Sequence, residues 1–396
     1  NLTFCESGRR WEKVLSCGCC CERLRGGCNG ESEAASAVAR CWVEAKRARC
    51  QCHSLDRRLS WRQMQELISV QKSYRLARRI SRRSGSNFYL SFWLLPRTKR
   101  DAMWALYAFA RTTEDLGDCS EPLALRTQWL DWWRKAAAIN LIGDRPVDQV
   151  IVPDGLVRPN HPLGAGNWPI DLQRRAREIL PALRDAVDRY SIPSRYLLEI
   201  VDGVLADQQK TRFDTYEQVE HYCYLVASAV GLACLHVWEF DEPLPLDAAI
   251  DCGIAFQLTN ILRDVAEDAG RGRIYLPRQH YEQHGLTEDD LLRPRSDDRL
   301  RCLVLDEVNR AKKLFDSGWN VWDSLHPDGR PMFSMMWRTY RRLLDRIAED
   351  PGMIAVRRVA LSTTDKIGIV SQHFFPPMFR RLPVPPLELR QGEVNS

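Results

Sequence analysis

From Trp61 to about Gln372, apolar residues recur at three- and four-residue spacing, with proline or glycine at the breaks, which predicts a succession of amphipathic helices. The pattern places them over roughly 63–82, 98–118, 122–140, 171–190, 194–210, 215–238, 247–269, 297–324, 332–349 and 355–371. Hardly any stretch alternates polar and apolar residues as a half-buried strand does, so the expected fold class is all-α. Between the fourth helix and the one before it, Asp144-Arg145-Pro146, Pro153-Asp154-Gly155 and Asn160-His161-Pro162 mark 142–170 as a long polar loop. No internal repeat is present.

The most apolar run, Tyr222 to Leu235, is 14 residues long, broken by Ser228 and bounded by His221 and His236. It falls short of the roughly 20 residues that span a bilayer and reads as a buried helix. The helical body, 63–372, is flanked by two stretches of different composition. Residues 1–62 hold nine of the fourteen cysteines among Gly, Arg and Ser, with one short helical stretch near Ser32 to Arg49. Cys17, Cys19, Cys20, Cys21 and Cys28 do not reproduce the paired C-x2-C spacing of structural zinc sites, so this leader is expected to be disordered or a wrongly assigned start. The tail, 373–396, carries Pro376, Pro377, Pro383, Pro385 and Pro386 and cannot continue a helix.

Charge narrows the partners. Lys and Arg number 57 against 52 Asp and Glu, a net charge of +5, and the two signs are interspersed along the chain. That is no nucleic-acid footprint, although such a surface is compatible with an anionic membrane. The body cysteines, spread singly among apolar residues, look like small buried hydrophobes in a reducing compartment. No secretory signal pattern is seen, so the expected location is cytoplasmic.

The strongest chemical signal is Gln257-Leu258-Thr259-Asn260-Ile261-Leu262-Arg263-Asp264-Val265-Ala266-Glu267-Asp268, followed by Gly270-Arg271-Gly272-Arg273-Ile274-Tyr275-Leu276-Pro277. On a helix, Gln257, Asn260, Asp264 and Asp268 share a narrow arc beside the apolar stripe of Ile254, Leu258, Ile261 and Val265, as on a helix lining a cavity. Carboxylates one turn apart repel by a few tenths of a kcal/mol, so a cation is expected between Asp264 and Asp268. Oxygen ligands suit Mg²⁺, which takes one or two carboxylates plus waters and substrate phosphates. An isolated D-x3-D is ordinarily a solvated face paired to nearby arginines, here Arg263, Arg271 or Arg273. A second acidic stripe shifts that balance: Glu114 and Asp118 are again one turn apart, with Arg111 one turn before Glu114. Two such stripes facing each other across a bundle would hold diphosphates, with arginine donating charge-assisted hydrogen bonds.

With these residues in place, the chain resembles the phytoene/squalene synthase family. The resemblance runs over roughly 65–370 through Ser84-Gly85-Ser86-Asn87-Phe88-Tyr89, Leu94-Leu95-Pro96, the stretch Ala105 to Arg111, Asp207 with Arg212-Phe213, the block Tyr222 to Leu232, and 257–277. It implies a single large helical bundle of the isoprenoid synthase type around a deep apolar tunnel, with both acidic motifs at its mouth. It also implies Glu114, Asp118, Asp264 and Asp268 as Mg²⁺ ligands, with Mn²⁺ as a substitute. Arg111, Asn260 and Arg263 then bind diphosphate, Tyr222 lies near the reacting carbons, and Gln257 and Tyr275 contribute from the second rank. Ser84, Asn87 and Phe88 fall in the substrate-binding opening segment. One departure is Glu114, where the family usually has Asp; the longer side chain shifts the carboxylate by about one bond length, which Mg²⁺ tolerates badly, and Asp115 is available to compensate.

The implied reaction joins two prenyl diphosphates head to head through a cyclopropylcarbinyl diphosphate. Two geranylgeranyl diphosphates giving phytoene is favoured over farnesyl diphosphate giving presqualene diphosphate, dehydrosqualene or, with NADPH, squalene. No G-x-G-x-x-G follows a predicted strand, in keeping with a reductant-free product. A head-to-tail prenyltransferase or terpene cyclase would also carry acidic motifs on helices, but the block Tyr222 to Leu232 and Asn260 to Asp268 disfavour it. A catalytically degenerate isoprenoid-binding subunit, marked by Glu114, is the non-enzymatic reading. Apolar substrates suggest peripheral membrane contact and contact with downstream isoprenoid enzymes.

Overall fold

The computed structural model describes residues 61–84, 88–143, 149–156 and 172–374. The chain divides into two compact units, Asn1–Met64 and Gln65–Ser396, and the described residues lie almost wholly in the second. The cysteine-rich leader, the proline-rich tail beyond 374 and most of the loop before 172 lie outside the described residues.

Ten longer helices form the body: α1 Trp61–Arg83, α2 Arg97–Asp118, α3 Leu123–Leu141, α4 Leu172–Tyr190, α5 Ser194–Gln209, α6 Tyr216–Trp238, α7 Leu246–Gly270, α8 Asp298–Gly318, α9 Arg330–Glu349 and α10 Thr363–Phe374. Among the described residues there is no strand, and the only bridge is the isolated antiparallel pair Phe240 and Leu325. The all-α expectation holds, and most predicted helices end within two residues of the observed ones.

Two predicted helices differ. The one expected over 297–324 is interrupted after Gly318, where a Cβ would meet Cys252 Cβ at 2.7 Å and Cα at 2.9 Å as α8 crosses α7, and a short helix, Val321–Ser324, follows. At this interruption Trp319 and Trp322 stack with centroids 5.2 Å apart. The helix expected over 355–371 begins only at Thr363. Ser362 and Asp365 cap it reciprocally: Asp365 N donates to Ser362 Oγ at 3.1 Å, and Ser362 N donates to Asp365 Oδ2 at 3.1 Å. The preceding turn, Pro351–Ala355, is tighter than an α-helix.

α6 runs through the middle of the bundle between α2, α5 and α7. It is long and apolar enough to cross a membrane by length and composition alone, but Val219, Cys223, Ala229, Leu232, Leu235, Val237 and Trp238 are buried inside the protein, as a core helix requires. A π-helical turn interrupts it at Tyr224–Ser228. There Gly253 of α7 comes so close that a Cβ would lie 2.4 Å from Ser228 Cα, and Gly203 of α5 would meet Val226 at 2.9 Å. The wider turn lets two helices approach the same point of α6 from different sides. On the other flank Phe109 stacks on Trp133 at 5.5 Å, and Trp133 Nε1 donates to Thr113 Oγ1 at 3.0 Å, satisfying a buried donor and fixing α3 against α2.

Candidate active site

α2 buries Phe109, Thr112, Thr113 and Leu116 in the core, which leaves Tyr107, Arg111, Glu114, Asp115 and Asp118 on its less buried side. Thr112 and Thr113 return their hydroxyls to the carbonyls of Ala108 and Phe109. Arg111 is paired chiefly with Asp115, at 2.6 Å, and sits 3.7 Å from Glu114. Asp115 is therefore engaged by Arg111. Glu114 is 57% exposed yet stands in a concave site; surrounding protein raises its carboxyl pKa, Arg111 opposes that rise, and Asp118 and Asp115 add to it. Ser84 is brought to the same helix: Tyr107, one turn before Arg111, donates its hydroxyl to Ser84 Oγ at 2.9 Å. Asn87 lies outside the described residues, and Phe88 opens the short helix Phe88–Ser91.

On α7 the apolar stripe is buried, with Leu258, Ile261, Leu262 and Val265 in the core, while Gln257, Asn260, Arg263, Asp264 and Asp268 are half-buried beside it. Asn260 Nδ2 donates to Gln257 Oε1 at 3.2 Å, and Asn260 Oδ1 is buried with no hydrogen-bond partner among the described residues. An orphaned buried acceptor of this kind calls for a ligand. Asp264 is held by Arg263, with contacts of 2.8 and 2.5 Å, and by Arg358 at 2.8 Å. Of the arginines weighed as partners, Arg263 pairs with Asp264, and Arg358 joins it. Asp268 forms no ion pair with a described residue, and burial, then Asp264, pushes its pKa up to about 6. Among the described residues no three His, Cys, Asp or Glu side chains close into a preformed metal cage.

A third cluster joins the two motifs. Asp207 of α5 accepts from the hydroxyls of Tyr222 at 3.1 Å and Tyr275 at 2.5 Å through one oxygen, and pairs with Arg273 at 3.0 Å through the other. The two phenol rings stack with centroids 5.2 Å apart, and Phe213 packs against both. Burial first, then Asp207, pushes both hydroxyl pKa values up, so both stay protonated and donating. Arg273 is also within electrostatic reach of Asp118 of α2. Tyr340 of α9 plays the matching part on the other side, against Asn260 and within the fields of Arg263, Asp264 and Glu114. Ile261, Val265, Asp268, Arg273, Ile274, Tyr275, Leu276 and Leu291 line a small open depression of about 10 Å³ beside this cluster, not the deep tunnel that the resemblance implies.

The structure thus brings Ser84, Arg111, Glu114 and Asp118 on one side together with Tyr222, Gln257, Asn260, Arg263, Asp264, Asp268 and Tyr275 on the other. Sequence reasoning missed Arg273, Tyr340 and Arg358 as site residues and gave Asp207 no role. Arg273 stood within the quoted motif, but Tyr340 and Arg358 come from distant segments with no local pattern to mark them.

An all-α bundle that gathers carboxylate and arginine clusters from separate helices defines the isoprenoid synthase class. Residues 81–365 match the family model described as squalene/phytoene synthase. A phytoene synthase from Arthrospira platensis is 32% identical over 74% of this chain and 90% of its own length, and a 15-cis-phytoene synthase from Synechocystis is 30% identical over 76% and 83%. Among solved structures, a dehydrosqualene synthase in complex with a ligand superposes with a TM-score of 0.62 at 24% identity, covering 78% of this chain and 97% of that one. A squalene synthase from Alicyclobacillus acidocaldarius gives 0.58 at 24%, covering 71% and 95%. The chain belongs to the squalene/phytoene synthase family and is a prenyltransferase of that type.

Proposed function

We propose that the protein condenses two molecules of geranylgeranyl diphosphate head to head into phytoene, through a cyclopropylcarbinyl diphosphate and with release of diphosphate. The observation that carries this reading is the convergence of the Glu114/Asp118 and Asp264/Asp268 motifs, each with its arginine, through Arg273 on one side and Tyr340 on the other. The choice of product is supported by the relatives at 30–32% identity, which are phytoene synthases. Arg111, Arg263, Arg273 and Arg358 turn from their carboxylates to diphosphate oxygens, where charge-assisted hydrogen bonds balance the leaving group. Asn260, with its unpaired oxygen, and Gln257 orient the head group.

Glu114, Asp118, Asp264 and Asp268 fit a hard cation: the donors are all oxygens, and Glu114 and Asp268 lie among protein and like charges that raise their pKa values. These residues would hold Mg²⁺, or Mn²⁺ in its place, which would supply positive charge to balance the diphosphate leaving group. Tyr222 and Tyr275, fixed by Asp207, present phenol oxygens beside the apolar wall, and their stacked rings with Phe213 keep water from the allylic cation. NADPH has a role only if the product is squalene. The buried, unpaired Cys223, Cys234 and Cys252 suit a reducing, cytoplasmic location, and the enzyme touches the membrane peripherally to reach its apolar substrates.

The test is product analysis of the purified protein with Mg²⁺ and either geranylgeranyl or farnesyl diphosphate, with and without NADPH. Phytoene from the longer substrate without reductant is the expected result. Presqualene diphosphate, dehydrosqualene or squalene from the shorter one replaces the proposed product, and binding without diphosphate release from either makes the protein a binding subunit.

A further inference from the structure

The scattered charge of the whole sequence hides one concentrated surface. From Lys72 to Arg83, α1 carries six basic residues and no acidic one. Lys72, Arg75, Arg78, Arg79, Arg82 and Arg83 are all exposed, and none forms an ion pair with a described residue. At 3.6 residues per turn the six fall within an arc of roughly 140°, opposite Val70, Ser73, Ala77 and Ser81, which are buried in the bundle. Beside this face stands Trp93, 41% exposed, with the guanidiniums of Arg100 and Arg78 lying 4.2 and 5.4 Å from its ring centroid. The C-terminal end of the face reaches the site: Ser84, one residue beyond α1, accepts the Tyr107 hydroxyl one turn before Arg111.

We propose that this face of α1, with Trp93 at its edge, is the surface by which the protein docks on an anionic bilayer, with the site mouth beside the lipid. The inference rests on the peripheral membrane contact proposed above and gives it a location. Six unpaired cations complement acidic head groups, and an amphipathic indole suits the membrane–water boundary better than a nucleic-acid groove. Prenyl diphosphates keep their chains in lipid and their head groups at its surface, so a mouth beside the docking face meets them there.

The test is co-sedimentation of the full chain with phosphatidylcholine vesicles, with and without phosphatidylglycerol, at low and high salt. Wild-type protein is expected on the anionic vesicles alone and is released by salt. The triple variant R75Q/R79Q/R82Q is expected to lower the partition on the order of a hundredfold, from about 1 kcal/mol per basic residue. W93A weakens binding separately, and a control with Arg293→Gln and Arg295→Gln, exposed elsewhere, leaves it unchanged. Circular dichroism and turnover of detergent-dispersed substrate check that the triple variant is folded. The proposal is overturned by no binding of the wild type, by equal binding to neutral vesicles, by equal binding of the triple variant, or by preference for a DNA duplex over vesicles. Vesicle binding by a protein that makes no prenyl product leaves the docking surface standing and removes the proposed reaction, and the converse result does the reverse.

Discussion

Asp207→Asn tests whether the Tyr222–Asp207–Tyr275–Arg273 cluster organises the site. The carboxylate serves two phenols through Oδ1, at 3.1 and 2.5 Å, and Arg273 through Oδ2 at 3.0 Å, and the ion-paired side chains are only 16% and 20% exposed. The amide keeps the shape, but if its oxygen still faces the tyrosines its NH₂ confronts the Arg273 guanidinium, donor against donor. Each hydrogen bond to a charged group contributes about 1.5–3 kcal/mol and its neutral replacement about 1, so the two phenols together lose about 1–4 kcal/mol. The lost ion pair adds about 1 kcal/mol, a modest figure because Asp118 and Asp268 remain within reach of Arg273. The expected loss is about 2–5 kcal/mol in urea unfolding, accompanied by a fall in kcat on the order of tenfold to a hundredfold as the phenols lose their fixed orientation. A double-mutant cycle with Tyr275→Phe should show a coupling of about 1 kcal/mol. Unfolding within about 0.5 kcal/mol of wild type, or additive effects in the cycle, would refute this account of the cluster.

Glu114→Asp restores the family spacing of the first motif and should lower the Mg²⁺ concentration for half-maximal rate; an unchanged requirement would show that the longer carboxylate already reaches its place. Asp268 has a folded pKa of about 6 against an ordinary value of 3.8, so between those pH values the folded metal-free protein binds more protons than the unfolded chain. Its stability should therefore fall as pH rises through that window, and Asp268→Asn should flatten the slope in denaturant titrations run with a chelator. Gly253→Ala drives a Cβ to 2.4 Å from Ser228 Cα at the α6–α7 crossing and should cost about 1–3 kcal/mol, read from the urea midpoint; a neutral effect would mean that the crossing can open freely.

Much of the fold was legible because helices are local. The 3.6-residue period is written into consecutive residues, and α1 to α7 and α9 lie close to where the pattern put them. Where the pattern failed, long-range contacts had decided. α8 is interrupted after Gly318, at its close crossing over Cys252, and α10 starts late because Ser362 and Asp365 form a cap. The acidic motifs were equally local, since two carboxylates at i, i+4 share a helix face in any helix.

What the sequence determined alone was the helical class, the two motif faces and, through several ordered motifs, the family. Only the tertiary structure decided which charges meet. Asp264 is neutralised by Arg358 from 94 residues later, and Asp207 collects Tyr222, Tyr275 and Arg273 from three segments. Periodicity fixes the direction of a side chain around its own helix axis, but a partner on another helix depends on how the helices cross. In this chain those crossings are set by close approaches such as Gly253 on Ser228, whose meaning appears only when both helices are in place.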